Sequence, residues 1–496
     1  MKKRIPALLL TLLFVLPLAV SCGSEPAQTP SQTTAAEAGT PTETTEAVTE
    51  DPLADNLPAK DYDGYKFRFY TFMDYDETYA PESQTGDVVN DAVYLRNQTV
   101  EERFNIRITS INSGADSYTK QIPAIETSIL SGGDDFDVAV NNGKSLTGQS
   151  LLNYFVNLYD IDAFDFSKPW WSQKLVDDLT FMNCMFVFSN NMAYEEFAAS
   201  KVFYFNKDKV AALGIDDPYK TVFDGLWTLD RFISTTKDVY EDLNGNGEHD
   251  TSDFYGLLTT SSHNAWQVVL DIPEWEKTAD SLRLVANSEK ANTAYEKLFK
   301  FYYQSNGLYL WHSYSAADKP MREMFINGQG LFSFGFVGDS GIHYRATDVD
   351  YGIVPFPKYD ENQDDYIVFF GVNSSNMFAI PITSSDLERS GIILEAMSAE
   401  GYKQLIPAYY EVALKAKYLR DEDSVRMLDL ITAARTISFA YCYDNYSKAS
   451  VGFGMCLSKT NSLFSESYAT FFAGRENLAN ERIQVVMEAF KKAVEK

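Results

Sequence analysis

Val202-Phe203-Tyr204-Phe205-Asn206-Lys207-Asp208, Leu226-Trp227-Thr228-Leu229-Asp230 and Asp242-Leu243-Asn244-Gly245-Asn246-Gly247-Glu248-His249-Asp250-Thr251-Ser252-Asp253, the last running into Tyr255-Gly256-Leu257, all lie within residues 201–260. In order they read as strand, helix, helix, oxygen-rich loop and strand. The strand 202–205 ends in Asn206-Lys207-Asp208, polar side chains able to cap a helix 209–213 that Gly214 stops. Thr228 is placed as the N-cap of a helix reaching about residue 241.

The loop 242–253 matches the oxygen-ligand spacing of a calcium loop, with side-chain oxygens at positions 1, 3, 5, 9 and 12, glycine at 6 and a carbonyl at 7. Asp242, Asn244, Asn246, Asp250 and Asp253 fill the side-chain positions, Gly247 the turn and Glu248 the carbonyl. Asp253 stands where sensor loops carry a longer glutamate, and a strand rather than a second helix follows. The pattern predicts a structural calcium clip; an Asx-rich turn without metal is the alternative.

Upstream, 65–72 alternates as a first strand, and 90–104 carries Val93, Val100 and Phe104 at helical spacing before a short strand 106–109. A second helix over 117–131 presents Ile122, Ile125 and Ile129 and stops at Gly132-Gly133; 136–140 is then a buried strand. In open α/β sheets ligands meet the chain beyond the carboxyl ends of strands. That rule selects Asp74, Tyr75, Asn141 and Asn142, and likewise His263, Asn264 and Trp266 after the strand 255–260. Trp170-Trp171 suits either a sugar face or packing at a helix start.

Downstream, 331–338 and 369–381 are apolar, glycine-bearing runs suited to strands that cross between lobes, and 350–359 is a strand closed by prolines. From 386 onward the pattern is helical, and these helices are expected to pad one lobe. Gly338-Asp339-Ser340-Gly341 is similar to the nucleophile segment of trypsin-like proteases, but the partner histidine and aspartate segments are missing.

The 496 residues exceed what one core organises, so two lobes are expected. A net charge of −28 with no basic patch excludes nucleic acid as the partner. Lys2-Lys3-Arg4 followed by the apolar 7–20 and Leu18-Ala19-Val20-Ser21-Cys22-Gly23 resembles a bacterial lipoprotein signal, 1–21, with Cys22 lipidated. Residues 22–61 are Thr, Ala, Glu, Pro and Ser with scarcely a large apolar side chain, a composition that stays unfolded and serves as a tether. Cys184, Cys442 and Cys456 fall at no zinc spacing and read as buried thiols, a Cys442–Cys456 bridge being open.

Taken together, the lipobox, the tether, Phe203-Tyr204-Phe205-Asn206-Lys207-Asp208, Trp227-Thr228, the Asp-x-Asn-Gly-Asn-Gly loop with Tyr255-Gly256-Leu257, and Asp350-Tyr351-Gly352-Ile353-Val354-Pro355-Phe356-Pro357-Lys358-Tyr359 resemble the extracellular solute-binding proteins of ABC importers. The similarity is to their carbohydrate-type, maltose-binding-like branch, from about residue 65 to the end. It implies an α/β, two-lobed periplasmic-binding-protein-like fold of type II with crossing strands, 62–199 and 334–380 forming the N-lobe and 200–333 and 381–496 the C-lobe. It further implies a monomer on the extracellular face of the membrane that takes a carbohydrate from solution to permease subunits, without catalysis. On that topology Asp74, Tyr75, Asn141, Asn142, Asn191, His263, Trp266, Trp311, Phe336 and Asn373 are the ligand-binding residues. A surface glycoside hydrolase or lyase, or a receptor for peptide or another solute, is the competing reading; the hydrolase needs two facing carboxylates of separated pKa.

Overall fold

In β1 (Tyr65–Thr71) Phe67, Phe69 and Thr71 point inward and are buried, while the residues between them are at least partly exposed. The computed structural model describes residues 51–260, 264–311, 319–410, 414, 421–444 and 449–495. The expected signal 1–21, Cys22 and most of the tether, with His263 and His312, lie outside these residues. The last part of the tether does not follow its expectation: Asp55 receives both terminal nitrogens of Arg103 at 2.5 and 2.9 Å, and Asp61 accepts from Asn105 Nδ2, so charge pairing docks 51–61 on the fold.

β1 runs parallel to β2 (Ile106–Asn112) on one side and β3 (Val138–Asn142) on the other. β13 (Asn376–Ala379) closes the order β13-β3-β1-β2 antiparallel to β3. Helix Val88–Phe104 starts on Asp87, whose carboxylate accepts from Val89 and Asn90 N–H, and ends at Asn105 in the left-handed region. Helix Tyr118–Leu130 ends before Gly132 at φ 72°.

The second sheet has the order β11 (Tyr351–Val354), β4 (Lys201–Asn206), β10 (Gly330–Phe336), β6 (Phe254–Thr260), β5 (Tyr240–Glu241), with β9 (Leu308–Trp311) also on β6. β4 (Lys201–Asn206) is buried throughout and antiparallel to β10 (Gly330–Phe336) and β11 (Tyr351–Val354); β6 (Phe254–Thr260) is parallel to β10 and β9. Two short pairs complete the described strands, β7 (Trp275–Lys277) with β8 (Leu282–Leu284) and β12 (Val368–Phe369) with β14 (Arg435–Thr436). Thr228 caps helix Leu229–Thr236 through Arg231 N–H, as expected, but the helix stops sooner because β5 (Tyr240–Glu241) turns onto β6. Gly256 and Gly307 allow that packing. A Cβ on either would stand 2.2 or 2.0 Å from the Thr236 carbonyl oxygen.

Strand pairing corrects the expected lobe boundaries. Of 334–380, the end of β10 and all of β11 belong to the second sheet, and only β13 joins the first. Helix Leu387–Glu400, expected in the C-lobe, belongs with the first sheet. Its Glu395 accepts from Trp170 Nε1 at 2.8 Å and Trp171 Nε1 at 3.0 Å, and Asn190 Nδ2 donates to Ser398 Oγ at 2.8 Å. The three mature cysteines are buried and unbridged, and burial pushes the thiols up, Cys442 and Cys456 to about 12.

The chain passes between the sheets through 198–200. Ala198 and Ser200 carbonyls accept from Gly338 and Val337 N–H at 3.0 and 2.9 Å on one side, and the Ala199 carbonyl accepts from Gly371 N–H at 3.2 Å on the other.

Candidate functional site

Parallel strands place their carboxyl ends on one edge. In the second sheet that edge holds Phe336 on β10, Thr260 on β6 and Trp311 on β9, beside Lys201 at the start of antiparallel β4. Three strand spacings separate Lys201 from Trp311, about 14 Å. In the first sheet the edge holds Asn142 and Lys144 after β3, the 73–76 loop after β1, and Asn376 at the start of β13.

The two edges meet at one polar strip. Lys201 Nζ donates to Asn264 Oδ1, and Asn264 Nδ2 donates to Tyr441 OH at 2.5 Å. Lys144 Nζ sits 3.6 Å from the Tyr441 ring centroid and donates to Asp444 Oδ1 at 2.7 Å. The strip thus joins the helix after β3, the start of β4, the segment after β6 and helix Phe439–Tyr443. Below it Glu274 is buried near Asp444, and burial with that neighbouring carboxylate pushes it up to about 8. On the first-sheet rim, Tyr79 OH donates to Glu195 Oε1 at 2.5 Å and accepts from Asn376 Nδ2 at 3.1 Å; burial raises the Glu195 carboxyl.

The expected ligand residues divide. Trp311 and Phe336 are half-buried on the second edge, and Trp311 Nε1 is a buried donor without a partner among the described residues. Tyr75 is half-buried on the first edge, and Asp74 is exposed beside it. Asn373 is exposed, and its carbonyl accepts from Asn142 Nδ2. The other asparagines are structural. Asn141 is wholly buried with Nδ2 on Tyr118 O and Gln121 Oε1, Asn142 caps helix Gly143–Ser150, and Asn191 donates to buried Glu196 at 2.9 Å. Trp266 is in the core: it is fully buried, donates to Tyr302 OH at 2.9 Å and packs on Phe356 and Phe203. The strand-end rule fails there because helix Ala265–Val269 turns the indole back under the sheet.

Lys144, Lys201, Tyr441 and Asp444 were not expected. A lysine opening the otherwise apolar run 201–205 was the one available signal, since a charge leading a buried strand demands a partner. Tyr441 and Asp444 arrive from about 300 residues beyond Lys144 and left no local trace.

In the oxygen-rich loop, Asp242 accepts from Gly245 and Gly247 N–H at 2.6 and 2.8 Å, and Asp250 accepts from Asn246 Nδ2 at 2.8 Å. Gly245 and Gly247 take φ of 71° and 76°. Asp253 is fully buried, its Oδ2 accepting from Tyr240 OH at 3.0 Å and its Oδ1 without a partner among the described residues. Among those residues no three His, Cys, Asp or Glu side chains gather as a metal set. The donors are all oxygen, which suits calcium rather than a transition metal.

No family model and no curated protein matches the chain. Solved structures do. An ABC substrate-binding protein of Listeria monocytogenes in complex with cycloalternan is similar at TM-score 0.54 and 13% identity, over 85% of this chain and 100% of that one. UgpB of Mycobacterium tuberculosis in complex with glycerophosphocholine is similar at 0.54 and 14%, over 86% and 98%. The galacto-N-biose-/lacto-N-biose I-binding protein of the ABC transporter from Bifidobacterium longum, in complex with lacto-N-biose, is similar at 0.53 and 11%, over 88% and 98%. The chain has the two-lobed α/β fold of these substrate-binding proteins.

Proposed function

We propose that the chain is the solute-binding receptor of an ABC importer, capturing a sugar or oligosaccharide between its lobes and delivering it to the permease. One observation carries the reading: the carboxyl edges of both sheets open on a single junction whose side chains come from both halves, with half-buried aromatic rings on each rim. Aromatic faces suit the C–H face of a sugar and the polar strip suits its hydroxyls. The solved proteins of this fold include receptors for oligosaccharides, which supports the class of solute.

Binding without catalysis is the better account of the carboxylates. Glu274 and Asp444 are neighbouring carboxylates, but they are 6% and 1% exposed and Asp444 is held by Lys144, whereas a glycosidase needs two that face the substrate. Incubation with a glycan panel and analysis of products decides this, since turnover overturns the receptor reading.

The proposal extends to a lipid anchor on Cys22 at the extracellular face and to calcium in the loop of Asp242, Asn244, Asn246, Glu248, Asp250 and Asp253. Buried Asp253 Oδ1, lacking a donor, supports the calcium site. The test is a thermal-shift screen of mono- and oligosaccharides, with calcium and with chelator. A sugar that raises Tm supports capture, and a Tm that falls on chelation supports the clip. Indifference to every sugar or to chelation removes the corresponding part. Detergent-phase partition that persists in Cys22→Ser removes the anchor.

A further inference from the structure

Lys201 is 4% exposed, and among the described residues its ammonium has one hydrogen-bond partner, the neutral Asn264 Oδ1. The Phe369 ring stands 5.0 Å from it. Of the acids on adjoining elements, Glu274 lies against Asp444 and Lys144, and burial with that carboxylate favours its neutral form, while the others are paired. Asp444 pairs with Lys144 at 2.7 Å, Glu196 with Arg435 at 3.1 Å and Asp339 with Arg322 at 3.0 Å. A buried cation left with a single neutral acceptor is costly to the free protein. Asn264 cannot turn to relieve it, because its amide nitrogen is held by Tyr441 OH and its oxygen is the only acceptor it offers. This ammonium lies at the junction of the two sheets, on the register position paired with Phe336.

We propose that the captured solute carries an anionic group, the carboxylate of an acidic sugar or the phosphate of a sugar phosphate, and that Lys201 is the residue that receives it. The inference rests on the receptor reading and sharpens it from sugars in general to acidic ones. The anion supplies the counter-charge that the fold withholds, so affinity comes from satisfying Lys201 only in the bound state. Asn264 positions the ammonium, and Lys144, already neutralised by Asp444, adds no second demand for charge.

The position has a pH signature. Burial alone pushes Lys201 down to about 7 in the free protein, so above that pH the amine is mostly neutral and must take up a proton to hold an anion. Affinity for the acidic solute therefore falls as pH rises from 7, and calorimetric heats near pH 8 vary with the ionisation enthalpy of the buffer.

The experiment compares matched probes on the full mature chain by thermal shift and titration calorimetry. The carboxylate arm uses D-glucuronate, D-galacturonate and digalacturonate, the phosphate arm glucose 6-phosphate and glycerol 3-phosphate, and the neutral arm glucose, galactose and glycerol. An acidic probe is expected to bind at least about tenfold more tightly than its neutral counterpart, and the arm that binds identifies the anion. Lys201→Met weakens that probe by about 10- to 100-fold, the worth of a charge-assisted hydrogen bond, and costs the acidic probe more than its neutral counterpart. Asn264→Asp gives Lys201 a resident carboxylate and produces the same loss with the lysine in place, which decides the matter should Lys201→Met not fold. A neutral sugar that binds as well as its acidic counterpart, or acid affinity unchanged in either variant, overturns the proposal and leaves the receptor reading intact. Failure of every acidic and neutral probe overturns both.

Discussion

Two tryptophans near the second-sheet edge do different work. Trp266 fills the space between Phe203, Phe232 and Phe356, and its indole N–H is satisfied internally. Trp266→Ala is expected to cost about 3–5 kcal/mol in denaturant unfolding, since a fully buried ring leaves a cavity. Trp311 is half-buried with its indole N–H unmatched among the described residues, so Trp311→Ala keeps most of the stability and weakens solute binding by about tenfold. Equal loss of stability in both would put Trp311 in the core. Strand-end position selects Trp266 and the topology the resemblance implies selects Trp311, and neither sees which way the next turn rotates a side chain. The same blindness set Asn141 beside Tyr75. One is sealed under helix Tyr118–Leu130 by its bond to Gln121, the other left on the rim.

At the scale of elements, helix Leu387–Glu400 is the instructive case. Ten of its residues are buried, so it carries no polar face by which sequence periodicity could have aimed it. Glu395 explains its place, because an internal carboxylate needs donors and Trp170 and Trp171 supply two. Burial pushes Glu395 up to about 7, with the indole donors opposing that rise only in part. The sign follows by linkage. The folded chain keeps a proton that the unfolded carboxyl, at 4.5, gives up, so this stabilisation is fully present below 4.5 and is lost as pH climbs through about 7. Tm is expected to fall between pH 5 and 7, and Glu395→Gln to flatten that slope in calorimetric scans; an unchanged slope assigns the titration elsewhere. Strands behaved better than helices. β4 and β6 were legible because unbroken apolar and aromatic runs have few other destinations, and the Thr228 cap was legible because capping is local chemistry.

For the whole molecule, two α/β halves were readable from length and from the alternation of strands and helices, whereas the assignment of 334–400 to one half or the other was not. Pairings such as Val354 with Phe203 and Ala379 with Ala139 depend on partners 150 to 240 residues away. The polar strip was hidden for the same reason, its members being isolated in sequence. Closure about the junction is testable through Gly371, where a Cβ would stand 3.3 Å from Lys201 Cε and 3.4 Å from the Ala199 carbonyl oxygen. With a solute identified by the screen, the radius of gyration from X-ray scattering is expected to shrink on binding in the wild-type chain, and Gly371→Val to lessen that change. Full contraction in the variant removes Gly371 from the hinge.

The segment 198–200 is laced to 337–338 on one flank and to 370–371 on the other. A laminate of three plies folds readily about a line across its width and resists shear in its own plane. Were the halves of a solute receptor to swing about this triple strand, Lys201, the next residue along, would sit close to the axle. On the receptor reading, a group held there would move little as the halves close, while the rim at Trp311, three strands away, would travel further, setting charge at the pivot and length at the perimeter.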